Sequence, residues 1–266
     1  MLASSTVQRA SRMASTDKRA GCALCREAAP LDFDFSYAFQ PIVDVHARQV
    51  FAHEALVRGP AGEPANSVLS RITQANRYPF DQACRDKAIQ IAARLQMRSH
   101  LSINFLPNAI YRPELCIRST LHAAHRYGFP IEQIIFETVE GEQVSDGKWL
   151  AEILREYKRI GFKTAIDDFG AGFAGLNLLA DFQPDIVKLD MALIRGIDQS
   201  KPRRAIVAGV VAMCRQLDIA VIAEGIESAD EARCLADLGI HLMQGYWFGR
   251  PQLERAVDET DIAWTL

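Results

Sequence analysis

Thr164-Ala165-Ile166-Asp167-Asp168-Phe169-Gly170 is an apolar run that ends in two adjacent carboxylates. Runs of this length and β-branched or aromatic character predict buried strands. A carboxylate at the end of a core strand is costly unless something compensates its charge. Adjacent residues of a regular strand point to opposite faces, so Asp167 and Asp168 can reach a common site only where the strand is ending. Gly170 and Gly172 supply the freedom of the loop that follows.

Outward from this run the same expense recurs. The segments AFQPIV (38–43), VFAHEALVR (50–58), LSINFLP (101–107), IIFETVE (134–140), DIVKLD (185–190), AVIAEGIE (220–227) and MQGYWFG (243–249) all read as strands. At their far ends stand Glu54, Asn104, Glu137 and Glu224, with Lys188 among them. Helical periodicity fills the intervals at Phe80–Gln96, Leu115–Tyr127, Lys148–Ile160, Phe173–Asp181, Pro202–Leu217 and Ala229–Leu238, and Gly128, Gly161 and Gly239 sit where helices should stop. Eight strand candidates separated by helices predict an α/β fold, a TIM-like (β/α)8 barrel with its site at the C-terminal strand ends. A doubly wound open sheet is the alternative, but it gathers its ligand groups at one crevice rather than from almost every strand.

The chain has 266 residues, 49% hydrophobic and 24% charged, which suits one globular domain. We place that domain at 31–258, between a flexible Ser-, Ala- and Arg-rich tail at 1–30 and a C-terminal tail at 259–266. The first tail also has the basic, acid-poor composition of an organellar transit peptide. A net charge of −3 argues against holding long nucleic acid through its phosphates. No apolar run reaches membrane-spanning length and no secretory leader is evident, so a soluble, cytoplasmic protein is expected. Cys22 and Cys25 have the spacing of half a tetrahedral zinc site, but no second such pair follows, so an ordinary pair of thiols is the favoured reading unless a dimer or an upstream partner supplies the other ligands. The other cysteines predict no disulfide framework.

Glu54, Asn104, Glu137 and Asp167 offer hard oxygen ligands suited to Mg²⁺ or Mn²⁺. With Asp168 on a second ion, two metals sharing Asp167 could activate a water and steady a leaving oxygen in a phosphoryl displacement. Lys188 could orient that water or hold a phosphate, and Arg58 suits bidentate phosphate recognition, or is simply a surface cation. Glu224 is a further ligand or a general base, with Glu227 near enough to assist.

Taken together, Glu54-Ala55-Leu56-Val57-Arg58, Asn104 in SINFLP, Glu137-Thr138-Val139-Glu140, Asp167-Asp168-Phe169-Gly170, Lys188 in VKLD, Glu224-Gly225-Ile226-Glu227 and Gln244-Gly245-Tyr246 resemble the EAL domain family of cyclic di-GMP phosphodiesterases, from about Phe35 to Leu253. The resemblance implies a barrel enzyme that uses Mg²⁺ or Mn²⁺, as two ions, to convert cyclic di-GMP to linear pGpG. It implies Glu54, Asn104, Glu137 and Asp167 on the first metal, Asp167 and Asp168 on the second, and Glu224 as ligand or base. Lys188 would position water, and Gln40, Val57, Arg58, Glu227, Gln244 and Tyr246 would contact substrate. Glu140 would anchor the loop after Asp168. That loop departs from the family at Ala171, Ala174 and Gly175, which touches regulation through the loop rather than the metal carboxylates; Gly59 and Val139 are milder departures. Relatives pair, so a homodimer is implied, and control would come through it, the tail or a separate regulatory protein. A catalytically inactive receptor for the dinucleotide, or a protein-docking module, is the alternative function.

Overall fold

The computed structural model describes residues 31–110, 112–139, 147–171 and 175–264. The tail at 1–30 with Cys22 and Cys25, Glu140, and the altered loop position Ala174 lie outside them. Eight strands close a barrel: β1 Ser36–Asp44, β2 Gln49–Arg58, β3 His100–Asn104, β4 Ile134–Val139, β5 Lys163–Phe169, β6 Ile186–Leu189, β7 Ala220–Ala223 and β8 Leu242–Gln244. They run in the order β2 to β8, then β1, and β1 pairs with β2 to complete the ring. The two-residue strand β9, Gln252–Leu253, pairs outside it with β1. Around the ring lie α1 Ala65–Leu69, α2 Arg77–Arg94, α3 Pro113–Tyr127, α4 Gly147–Ile160, α5 Gly175–Asp181, α6 Met191–Ile194, α7 Lys201–Gln216 and α8 Ala229–Asp237.

The regular alternation expected from sequence fails at one place. Only five residues separate Val43 from Gln49, too few for a crossover helix, so β1 and β2 form a hairpin and β1 is antiparallel to both of its barrel neighbours. Asp44 makes the turn: its Oδ1 accepts the backbone N–H groups of His46 and Ala47, each at 2.9 Å. The other ladders from β2 to β8 are parallel. The helix stops behave as sequence implies, Gly128, Gly161 and Gly239 all having positive φ.

Alternation along the strands divides the protein into two cores. One set of side chains packs outward against the helices, among them Leu101, Ile103, Phe136, Ile166, Val187 and Leu189. The other points into the barrel, where Ile42, Ala52, Ile135, Ala165, Ile186 and Ile222 form a dry floor. Two residues further on, on the same face, stand Glu54, Glu137, Asp167, Lys188 and Glu224; on the reversed β1 the partner of Ile42 is Gln40. The floor keeps water and chain out of the lower barrel, so the polar layer opens only toward the mouth.

Residues 259–264, read from sequence as a tail, lie against the barrel instead: Ile262 is buried, and Trp264 packs on the main core. Buried His53 ties down the preceding segment, its Nε2 lying 3.1 Å from the Val257 backbone nitrogen. Among the described residues no helix is long and apolar enough to cross a membrane.

Candidate metal centre

Each strand delivers its polar residue to the mouth at a fixed height, and Asp168 is the exception that needs a special backbone. Strand β5 does not end at Asp167, as the sequence suggests. Its pairing with β6 breaks between Ile166 and Phe169 and then resumes at Phe169 opposite Leu189. Within this bulge Asp168 takes φ = +53°, and the left-handed turn brings two successive carboxylates to one side. Asp168 donates its own N–H to Asp167 Oδ1 at 2.9 Å, which fixes that carboxylate.

Lys188 is the hub of the layer. Its ammonium is fully buried and lies 2.7 Å from Glu224, 3.0 Å from Glu137, 3.1 Å from Asp167 and 3.4 Å from Glu54. Burial opposes its charge, but the four acids together outweigh burial and hold its pKa well above the usual lysine value. One cation does not balance the acids. Burial, reinforced by neighbouring carboxylates, pushes Glu137 up to about 8 and raises Glu224 well above its usual range. Burial and Asp167 likewise raise Asp168.

Neutral donors orient the acids further. Asn104 Nδ2 donates to Glu54 at 3.1 Å, Gln244 Nε2 donates to the other Glu54 oxygen at 2.8 Å, and Ser102 Oγ donates to Glu137. Gln244 Oε1 is buried with no hydrogen-bond partner among the described residues, so the site still lacks a donor or cation there. Two overlapping sets of oxygens result: Glu54, Glu137 and Asp167, and then Asp167, Asp168 and Glu224, each set lying within 4.8 Å. This donor chemistry, all hard oxygen and in excess of the local positive charge, fits divalent cations sharing Asp167.

A cavity of about 300 Å³ opens directly over these oxygens. Gln40, Glu227, Gln244 and Tyr246 line it, together with Met191 and Arg195, which sequence reasoning did not single out. Gly225 and Gly245 lie in the wall because no side chain fits: a Cβ on Gly245 would stand 2.0 Å from the Ile226 carbonyl oxygen, and Gly225 has φ = +70° against Met191. At the rim Arg195 pairs with Glu227 at 2.8 Å, and buried Glu231 holds both loops by accepting the N–H groups of Gly196 and Glu227. Tyr246 is half exposed, with the Arg250 guanidinium 4.1 Å from its ring centre. Arg58 and Val57 are not brought to this wall; Arg58 Nη1 donates to the Val57 carbonyl at 2.8 Å. Nor is Lys188, which stands behind the carboxylates. A larger depression of about 520 Å³ on the helical face, beside Trp149 and Glu156, contains none of the buried oxygen set.

The model of the EAL domain matches residues 26–251. The chain belongs to the EAL domain family. Among its relatives, the blue light- and temperature-regulated antirepressor BluF of Escherichia coli is 34% identical over 82% of this chain and 54% of its own length. The probable cyclic di-GMP phosphodiesterase PdeN of the same organism is 28% identical over 82% of this chain and 43% of its own. This EAL chain thus spans about half the length of the curated relatives it matches. A standalone EAL protein from Vibrio cholerae, solved with c-di-GMP bound, is similar at TM-score 0.83 and 54% identity, covering 86% of this chain and 96% of that one. The manganese/cy-diGMP complex of Klebsiella pneumoniae BlrP1 gives TM-score 0.78 and 36% identity over 85% and 59%.

Proposed function

We propose that this chain is a metal-dependent phosphodiesterase that opens cyclic di-GMP to linear pGpG. The observation that carries the reading is the pair of oxygen sets joined at Asp167 beneath a cavity. The cyclic di-GMP and manganese named for similar structures support it, as does the activity in the name of PdeN. Glu54, Asn104, Glu137 and Asp167 would hold one Mg²⁺ or Mn²⁺, and Asp167, Asp168 and Glu224 a second. Bound there, such ions supply Lewis-acid charge for phosphoryl displacement.

The remaining work falls to the chain. Lys188 keeps four acids convergent by neutralising part of their repulsion, a positioning role that its burial favours over direct contact with substrate. Glu224 lines the cavity and offers a carboxylate oxygen that can accept a proton from water there. The exposed face of Tyr246 offers a stacking surface for a base, and Gln40, Gln244 and Glu227 offer polar contacts. Arg58 would reach a phosphate only by leaving the Val57 carbonyl. Cytoplasmic location, pairing of two copies and control by a separate protein complete the proposal.

Purified protein incubated with cyclic di-GMP and Mn²⁺, with pGpG followed by chromatography, should show turnover that Glu54→Ala abolishes. The antirepressor name of BluF favours a second reading, a receptor that signals by contact. Nucleotide binding without pGpG would select that reading. Neither binding nor turnover would leave a docking module.

A further inference from the structure

Behind the wall that carries Asn104 and Glu137 lies a second buried polar group, Asp81, Arg85 and Tyr157, which the chemistry above does not use. Asp81 and Arg85 stand one turn apart on α2 and are 2% and 0% exposed. One Asp81 oxygen accepts from the Arg85 guanidinium; the other accepts the backbone N–H of Leu106 at 3.1 Å. Arg85 also donates to the Tyr157 hydroxyl on α4 at 3.1 Å, and its Cζ lies 5.3 Å from the Phe136 ring centre. Phe136 immediately precedes Glu137. Leu106 is two residues beyond Asn104, and Phe105 between them donates its N–H to the Glu137 carbonyl at 3.1 Å. The group therefore holds the Leu106 backbone near Asn104 and packs on the Phe136 ring beside Glu137.

A buried ion pair is a poor device for mere adhesion, since well-packed apolar replacements are often neutral or stabilising. What an apolar side chain cannot do is satisfy the Leu106 N–H, which β3 leaves unpaired by ending at Asn104. We propose that Asp81 and Arg85 are positioning residues of the metal centre: Asp81 tethers Leu106 and so directs Asn104 toward Glu54, and Arg85 aims Asp81. This deepens the proposed function and rests on it.

Two paired substitutions in the full chain isolate the tether. Asp81→Leu with Arg85→Met removes charge and acceptor together; Asp81→Asn with Arg85→Met removes charge but keeps an acceptor for Leu106. Calorimetric Mn²⁺ affinity should fall about 10-fold in the leucine pair, as for other supports of metal ligands, and recover in the asparagine pair to within about twofold of wild type. The Mn²⁺ electron paramagnetic resonance line shape should change only in the leucine pair. Equal affinity in both pairs, whether normal or weakened, would overturn the tether. Asn104→Ala is the control. If it weakens Mn²⁺ binding while the leucine pair does not, the tether alone is wrong; if it has no effect, Asn104 is no ligand and both readings fall. Should the leucine pair not fold, hydrogen exchange at the wild-type Leu106 amide decides. Slower exchange on Mn²⁺ saturation supports the tether, and unchanged exchange rejects it.

Discussion

The barrel mouth and the helix-side group under it both bury charge, yet they are arranged in opposite ways. Beside α2, one carboxylate meets one guanidinium that cannot lose its proton, and a hydroxyl and a backbone amide add further hydrogen bonds, leaving Arg85 Nε without a partner among the described residues. At the mouth, Glu54, Glu137, Asp167 and Glu224 surround a single ammonium, and Asp168 adds a further acid. The first arrangement balances its formal charges one to one. The second is left short of positive charge and keeps an orphaned Gln244 oxygen, and it is the one that opens to a cavity. Carboxylates in excess of positive charge face the cavity, and the charge-paired group lies behind them.

The sharpest way to break the comparison is to unbalance the balanced group. Arg85→Met alone leaves the Asp81 carboxylate buried without its partner and should cost about 3–5 kcal/mol in urea unfolding. A loss near zero would mean that the pair carries no structural charge. Asp168→Asn should do the reverse at the mouth. It removes one of several like charges and places at φ = +53° a residue that tolerates the left-handed region, so metal-free protein should gain about 0.5–2 kcal/mol while Mn²⁺ binding weakens. Destabilisation by this change would contradict the view of the mouth as strained.

The pH dependence follows with a definite sign. Because burial raises Glu137 to about 8 in the folded state, native protein holds a proton there that unfolded chain releases near the ordinary glutamate value of 4.5. Metal-free stability should therefore be fullest below that lower value and decline as pH rises toward about 8. Protons and metal compete for the same oxygens, so Mn²⁺ affinity should rise through this window, and with it activity. Melting curves at several pH values, with chelator and with Mn²⁺, check both statements; a metal-free melting temperature that climbs through the window would refute them. The smallest expected effect on Mn²⁺ affinity is that of Tyr157→Phe, which removes one partner from Arg85 and should cost about 1–3 kcal/mol of stability while the Asp81 bond persists.

Much of this was readable from the chain because a strand has a strict period of two. Ile135 and Glu137, Ala165 and Asp167, Ile186 and Lys188, and Ile222 and Glu224 all repeat a floor residue followed two places later by a polar one, and parallel strands in a ring place equivalent positions together. Lys188 was legible as a misplaced charge, but not as one buried behind the acids. Arg195 carried no signal: it lies after a four-residue helix whose direction only packing decides. Asp81 and Arg85 read as an ordinary helical pair four residues apart, because nothing local shows that Leu106 waits beneath them.

The order of apolar runs, the glycine stops and the acids at strand ends determined the barrel and its candidate ligands, since these follow from local periodicity and the cost of burying charge. Tertiary structure alone decided the hairpin that reverses β1, the bulge that turns Asp168 inward, the withdrawal of Arg58 from the cavity and the packing of residues 259–264 onto the barrel. Each of those depends on which surfaces meet across the closed ring, and that is a property of three-dimensional contact rather than of spacing along the chain.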